Sequence, residues 1–376
     1  MKKIAIYTLA SVLHDPERVN ILAQEFLGTL HVEYELKGTD FSDYGIHALD
    51  VIYICTGGTE GIFKKMLPDL RQRSSRPIYL LASGKSNSLA ASMEILSYLR
   101  QQNINGEIIH GDEEYVNYRL RLLEQAGEAK QKLYGSRYGI VGKPSDWLIA
   151  SHVDRAIVKE RLGIDLIDIS IDELFDNLPT NKSIYAGLEK IIETYQLQGF
   201  TLRCFDLIDI LNDTGCLPLA RLNAAGYVAG CEGDVPAMLS MAIVRSLFGV
   251  SGFLANPATI NPETGELLFA HCTIPLDMVE RYELDTHFES GIGTGIRGFM
   301  KEGPVTVFKV SGDLKRHFIA EGRLVMSLAL PNMCRTQQVI QLSDRMQAHY
   351  FLNDPIGNHH IIMPGHHKDI LEELLK

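Results

Sequence analysis

Two acids, Glu232 and Asp234, stand in the stretch GYVAGCEGDVPAMLSMAIVRSLFG (Gly226 to Gly249), between a short apolar run and a longer one. The first run, YVAG, reads as a buried strand, and the second as a largely apolar helix. A strand-to-helix turn can cap a helix, cradle a phosphate or hold a catalytic acid. Asp234 suits the cap, because it precedes VPAM and leaves Pro236 in the first helical turn. Capping does not explain Glu232. It sits between Cys231 and Gly233 directly after the strand and reads as partly buried. A buried carboxylate needs a partner, and a metal ion or an arginine is the least costly one.

Candidate partners lie downstream. LLFAHCTIP puts His271 at a strand end, and GNHH puts His359 and His360 after a Gly-Asn turn. A lone strand histidine is ordinarily structural, but two separated histidines and a poised carboxylate make a donor set for Mn²⁺, Fe²⁺ or Zn²⁺. His366 and His367 fall on a turn before the last helix and read as surface. HFESGIGTGIRGF (His287 to Phe299) is glycine-rich around Glu289 and Arg297, which suits a mobile substrate loop or a wide β-turn. Trp147, the only tryptophan, lies in GKPSDWL after a strand. There it can line a sugar or aromatic site, or pin its loop to the core. TGGTE (Thr56 to Glu60) and ASGKSNSLA (Ala82 to Ala90) join strands to helices, but neither is a dinucleotide or P-loop fingerprint.

The elements that must position these residues follow an α/β plan. The first third alternates strand patterns (KKIAIYTL, HVEYEL, DVIYICTGG, PIYLLASG, GEIIHG) with helical ones, which implies parallel βαβ units. A second such unit runs from RYGIVGKPSDWL to the apolar helix ending near Gly249. From FLANPATINPETGELLFAHCTIP onward, hairpin signals take over. The expected fold is two doubly wound Rossmann-like domains, 1–135 and 136–250, followed by an antiparallel, barrel-like domain, 251–376.

The net charge of −11 argues against nucleic acid and against an anionic membrane as partner. No run approaches the roughly 20 apolar residues of a membrane span. The amino-terminal MKKIAIYTLA run ends in HDPERVN, a helix start and not a cleavage site. The six cysteines are scattered without a CxxC and read as reduced. A cytoplasmic protein of small-molecule chemistry is the expectation.

The domain order, the AGCEGD turn with its apolar helix, LLFAHCT and GNHH together resemble the L-fucose isomerase and L-arabinose isomerase superfamily, in its compact form. The resemblance covers the whole domain plan, with its specific motifs in the last 150 or so residues. It implies a divalent metal, usually Mn²⁺, held by Glu232, by His359 or His360, and by His271 as the arabinose-type extra histidine. It also implies a second acid near FLANPATIN, where this chain has Asn256. In that family the two acids move a proton between C1 and C2 of a sugar through an ene-diol. Asparagine can ligate but cannot serve as a base. Either Glu232 acts alone, or Asp234 or Glu289 substitutes, or isomerisation is lost.

The resulting expectation is a metal-dependent aldose–ketose isomerase, homo-oligomeric as a trimer or hexamer. Glu232 and Glu289 would be catalytic, and Trp147, Asp234 and Arg297 would contact the sugar. A sugar-binding protein without catalysis is the alternative. A nucleotide-binding oxidoreductase is disfavoured by the missing glycine fingerprint.

Overall fold

The computed structural model describes residues 3–376. The chain divides into two compact units at Gln131 and Lys132. The first contains β1 (Ile4–Leu9), α1 (Pro16–Leu27), β2 (Tyr34–Gly38), β3 (Leu49–Ile54), α2 (Glu60–Arg73), β4 (Ile78–Ala82), α3 (Ser88–Gln101), β5 (Gly106–Ile109) and most of α4 (Glu113–Leu133). Its five strands form one parallel sheet in the order β2-β1-β3-β4-β5. Side chains alternate across a strand, and both faces here are apolar. Ile4, Ile6, Val51 and Tyr53 meet Leu27 of α1 and Leu120 of α4. Ala5, Tyr7, Ile52 and Ile54 meet Phe63 of α2 and Ile95 of α3. Burial on both faces is why these strands read as continuous apolar runs.

The second unit begins with β6 (Arg137–Val141), α5 (Arg155–Leu162), β7 (Asp165–Ile169), α6 (Ile171–Asp176), α7 (Ile184–Tyr195), β8 (Gly199–Leu202), α8 (Phe205–Leu211), α9 (Cys216–Ala224), β9 (Val228–Gly230) and α10 (Val235–Phe248). Its parallel sheet has the order β7-β6-β8-β9. The chain then runs through β10 (Phe253–Asn261), β11 (Glu266–His271), β12 (Arg281–Asp285), β13 (Gly295–Phe299), β14 (Gly303–Val310), β15 (His317–Leu328), β16 (Thr336–Leu342), α11 (Tyr350–Asn353), β17 (His360–Pro364) and α12 (Lys368–Leu375). Six of these strands close into an antiparallel barrel, β10-β11-β16-β15-β14-β17, while β12 and β13 form a separate hairpin. The fold is thus α/β with parallel Rossmann-like sheets and a carboxy-terminal barrel.

Helix α10 is the piece that matters for the site. It is buried all round, with Arg245 and Phe248 its least covered residues, as an apolar helix must be when both sides are packed. It lies between β8 and β9 of the sheet and β14 and β17 of the barrel. Its amino-terminal end therefore opens where sheet and barrel meet. Among the described residues no helix is long and apolar enough to cross a membrane.

Candidate metal and substrate site

Strand β9 ends at Gly230, and the chain turns sharply before α10. Glu232 adopts φ 60° and Gly233 φ 71°, the left-handed region that costs a non-glycine residue roughly 1–2 kcal/mol. Such strain is held only where the surroundings impose it, and here the loop after β6 does so. Ser145 N–H donates to Glu232 O at 2.9 Å. A Cβ on Gly233 would stand 2.5 Å from Lys143 O and 2.8 Å from Pro144 Cα. The turn and the loop carrying Trp147 thus lock together, and the Trp147 indole N–H donates to Glu232 Oε2 at 2.7 Å.

The other carboxylate oxygen faces two histidines. Glu232 Oε1 lies 3.4 Å from His271 Nε2 and 3.4 Å from His359 Nε2. These distances exceed the roughly 2.9–3.0 Å of a good N–H···O bond. They match the edges of a coordination polyhedron: donors about 2.0–2.2 Å from one ion stand about 2.8–3.6 Å apart. Each ring is oriented through its other nitrogen. His271 Nδ1 pairs with Thr273 Oγ1 at 2.8 Å, and His359 Nδ1 with Asp234 Oδ2 at 2.9 Å. Holding Nδ1 in this way presents Nε2 as a ligand. His359 Nε2 is buried and has no hydrogen-bond partner among the described residues. Among the described residues Glu232, His271 and His359 are the group able to hold a metal ion, and the donor set fits one.

Asp234 has no exposed surface. One oxygen caps α10 by accepting from Ala237 N–H at 2.8 Å, and the other meets His359. The substrate contact expected of Asp234 gives way to these duties, since its carboxylate is sealed from solvent. Lys309 of β14, 1% exposed, brings Nζ to 3.5 Å from Asp234 Oδ2. Burial alone would raise the Asp234 carboxyl, but the Lys309 charge and the His359 bond hold it well below the usual range. Glu232 behaves alike: burial opposes ionisation, and the two histidines overcome it. For His359, burial works against the charged form, yet Asp234 and Glu232 push its pKa up to about 9. A metal ion must therefore displace a proton from this ring.

His360 is not in the cluster. It pairs with Ala255 of β10 and contacts Tyr350 OH at 3.0 Å, among Phe269, Phe318 and Phe351. Burial, and then Lys309, push its pKa down to about 3, so it is a neutral core histidine. Asn256 lies on β10, between β11, which ends at His271, and β17, which His359 immediately precedes, and it is paired with Ala270. Its Oδ1 is buried and has no hydrogen-bond partner among the described residues. Glu289 is exposed on the loop between β12 and β13, and the Cys334 thiol is pushed up first by its hydrogen bond with Cys272 and by burial, with lesser effects of the charges of Cys272, Glu289 and Glu232. Arg297 of β13 donates to Asp285 at 3.0 Å and stands 3.6 Å from Glu283. It braces the β12–β13 hairpin. His366 meets Gly322 O at 3.0 Å.

Three residues escaped the reading of the sequence. Lys309 carried a signal: a lysine inside the apolar strand GPVTVFKV, in step with Val305 and Val307. Thr273, two residues after His271, carried a faint one. Phe205, whose ring meets Trp147 edge-on at 4.7 Å, carried none.

An α/β protein that sets a buried Glu-His-His donor set between a parallel sheet and a closed barrel is the class these observations define. No protein-family model matches the chain. It is similar to the sulfoquinovose isomerases of Priestia aryabhattai and Priestia megaterium, each 24% identical over 264 residues. It is also similar to that of a Clostridium species, 23% identical over 229 residues. The Priestia matches span 60% of this chain and 59% of the relatives, and the Clostridium match 52% and 50%. The chain thus matches little more than half the length of these relatives.

Proposed function

We propose that this protein is a metal-dependent aldose–ketose isomerase that moves a proton between C1 and C2 of a sugar or sugar derivative through an ene-diol. The observation that carries the reading is Glu232 Oε1 at 3.4 Å from both His271 Nε2 and His359 Nε2. Similarity to sulfoquinovose isomerases supports the reaction class and the sugar. Glu232, His271 and His359 would hold the ion, Mn²⁺ by preference, with the Asn256 amide oxygen as a further donor. Once bound, such an ion supplies Lewis acidity toward a carbonyl and its neighbouring hydroxyl.

The remaining work belongs to side chains. Asp234 holds His359 in the tautomer that offers Nε2. Both Glu232 oxygens are engaged and its carboxyl is held strongly acidic, so it is a poor base. Glu289, exposed on the loop between β12 and β13, is the carboxylate assigned to the C1–C2 proton. The same reading makes the protein a cytoplasmic homo-oligomer, trimeric or hexameric.

The test is ketose formation from a panel of aldoses, sulfoquinovose and D-glucose among them, with Mn²⁺ in D₂O and NMR detection. Deuterium should enter at the proton-transfer carbon. Glu232→Gln should lose Mn²⁺, while Glu289→Gln should keep Mn²⁺ and lose turnover. A wild type that binds no Mn²⁺ and converts no aldose sinks the proposal. One observation favours a second reading, a sugar-binding protein without catalysis: Asn256 occupies the place of the expected second acid. Sugar binding without turnover selects that reading.

A further inference from the structure

We infer that Trp147 ties the metal ligand to the sugar: its indole N–H positions Glu232, and its exposed ring forms the platform on which the aldose lies. The inference rests on the isomerase reading and deepens it. An exposed aromatic residue by itself requires no explanation. Trp147 is different in that it is 52% exposed while its N–H is bonded to the carboxylate of Glu232, a residue that is 8% exposed. One end of the ring reaches the buried donor set and the rest faces solvent. An indole, with its apolar body and single donor, suits such a boundary.

The ring is also held still. Phe205 packs edge-to-face at 4.7 Å and 81°, and His287 continues the array at 5.7 Å from Phe205. The loop beneath is anchored by Arg203, which donates to Pro144 O at 2.6 Å and to Asp146 at 2.9 Å. A rigid aromatic surface beside the ligands matches the C–H face of a sugar ring, and it loses little conformational freedom when that face docks. The bond to Oε2 leaves Oε1 as the oxygen turned toward both histidines. Trp147 thereby sets Glu232 as a one-oxygen ligand and places the sugar beside it.

Because Trp147 is the only tryptophan, its fluorescence reports the site directly. Mn²⁺ added to metal-free protein should quench the emission, and the best aldose of the panel should change it again. Trp147→Phe keeps a ring but removes the N–H. It should weaken Mn²⁺ binding, measured by the electron paramagnetic resonance of free Mn²⁺, by about tenfold. Trp147→Ala should in addition raise KM well above that of Trp147→Phe. Circular dichroism melts confirm that both variants are folded. Quenching by Mn²⁺ with no aldose converted leaves the positioning of Glu232 standing and removes the isomerase reading. Turnover with Trp147→Phe unchanged in Mn²⁺ affinity and Trp147→Ala unchanged in KM overturns this inference and leaves the isomerase reading intact.

Discussion

Replacing Lys309 by methionine removes the cation that faces a carboxylate with no exposed surface. Lys309 Nζ stands 3.5 Å from Asp234 Oδ2 and, among the described residues, has no hydrogen-bond partner of its own. Breaking a buried ion pair from one side costs about 3–5 kcal/mol, because the other charge is left uncompensated. Asp234 keeps its bonds to Ala237 N–H and His359, which places the loss at the lower end, about 3 kcal/mol. For a unit the size of Lys132–Lys376, 1 kcal/mol corresponds to about 2–4 °C, so Tm should fall by about 6–12 °C. Asp234→Asn strands the lysine instead and should also destabilise. The double variant removes both charges of this pair and should be more stable than the two single losses together predict, by about 2 kcal/mol. Calorimetric melts of the metal-free wild type and three variants at one pH close this cycle. A Lys309→Met Tm within a degree of wild type, or strictly additive losses, refutes the pairing as a source of stability.

Two further outcomes follow from the site. The folded-state pKa of His359, about 9, lies above the ordinary value near 6.5. Its contribution to metal-free stability is therefore fully present below about pH 6.5 and lost as pH rises through 9. Denaturant unfolding between those limits should show a larger loss for wild type than for His359→Gln, and Mn²⁺ affinity should rise over the same range. Gly233→Ala forces a side chain into φ 71° and against Lys143 O. It should lower stability by about 2 kcal/mol or more and loosen the Trp147 loop, seen as a red-shifted and mobile indole emission.

Much of this protein is legible along the chain, because short-range physics wrote it there. Alternating β and α patterns announce the parallel sheets, and the Pro-Glu-Thr-Gly turn announces the β10–β11 hairpin. Asp234 before Val-Pro reads as a helix cap and is one. Glu232 stands out because a carboxylate after an apolar strand needs a partner. What that partner is depends on closure over long separations. Successive strand residues point to opposite faces, so the choice between His359 and His360 is made by pairing of the last barrel strand with β10 and β14. Trp147 reaches Glu232 across 85 residues only because the loop after β6 folds over a glycine with no Cβ. Lys309 becomes the counter-charge of Asp234 because α10 is wedged between sheet and barrel. Local propensity names the pieces and their caps, whereas which polar groups share a buried space is decided when sheet, helix and barrel exclude water together.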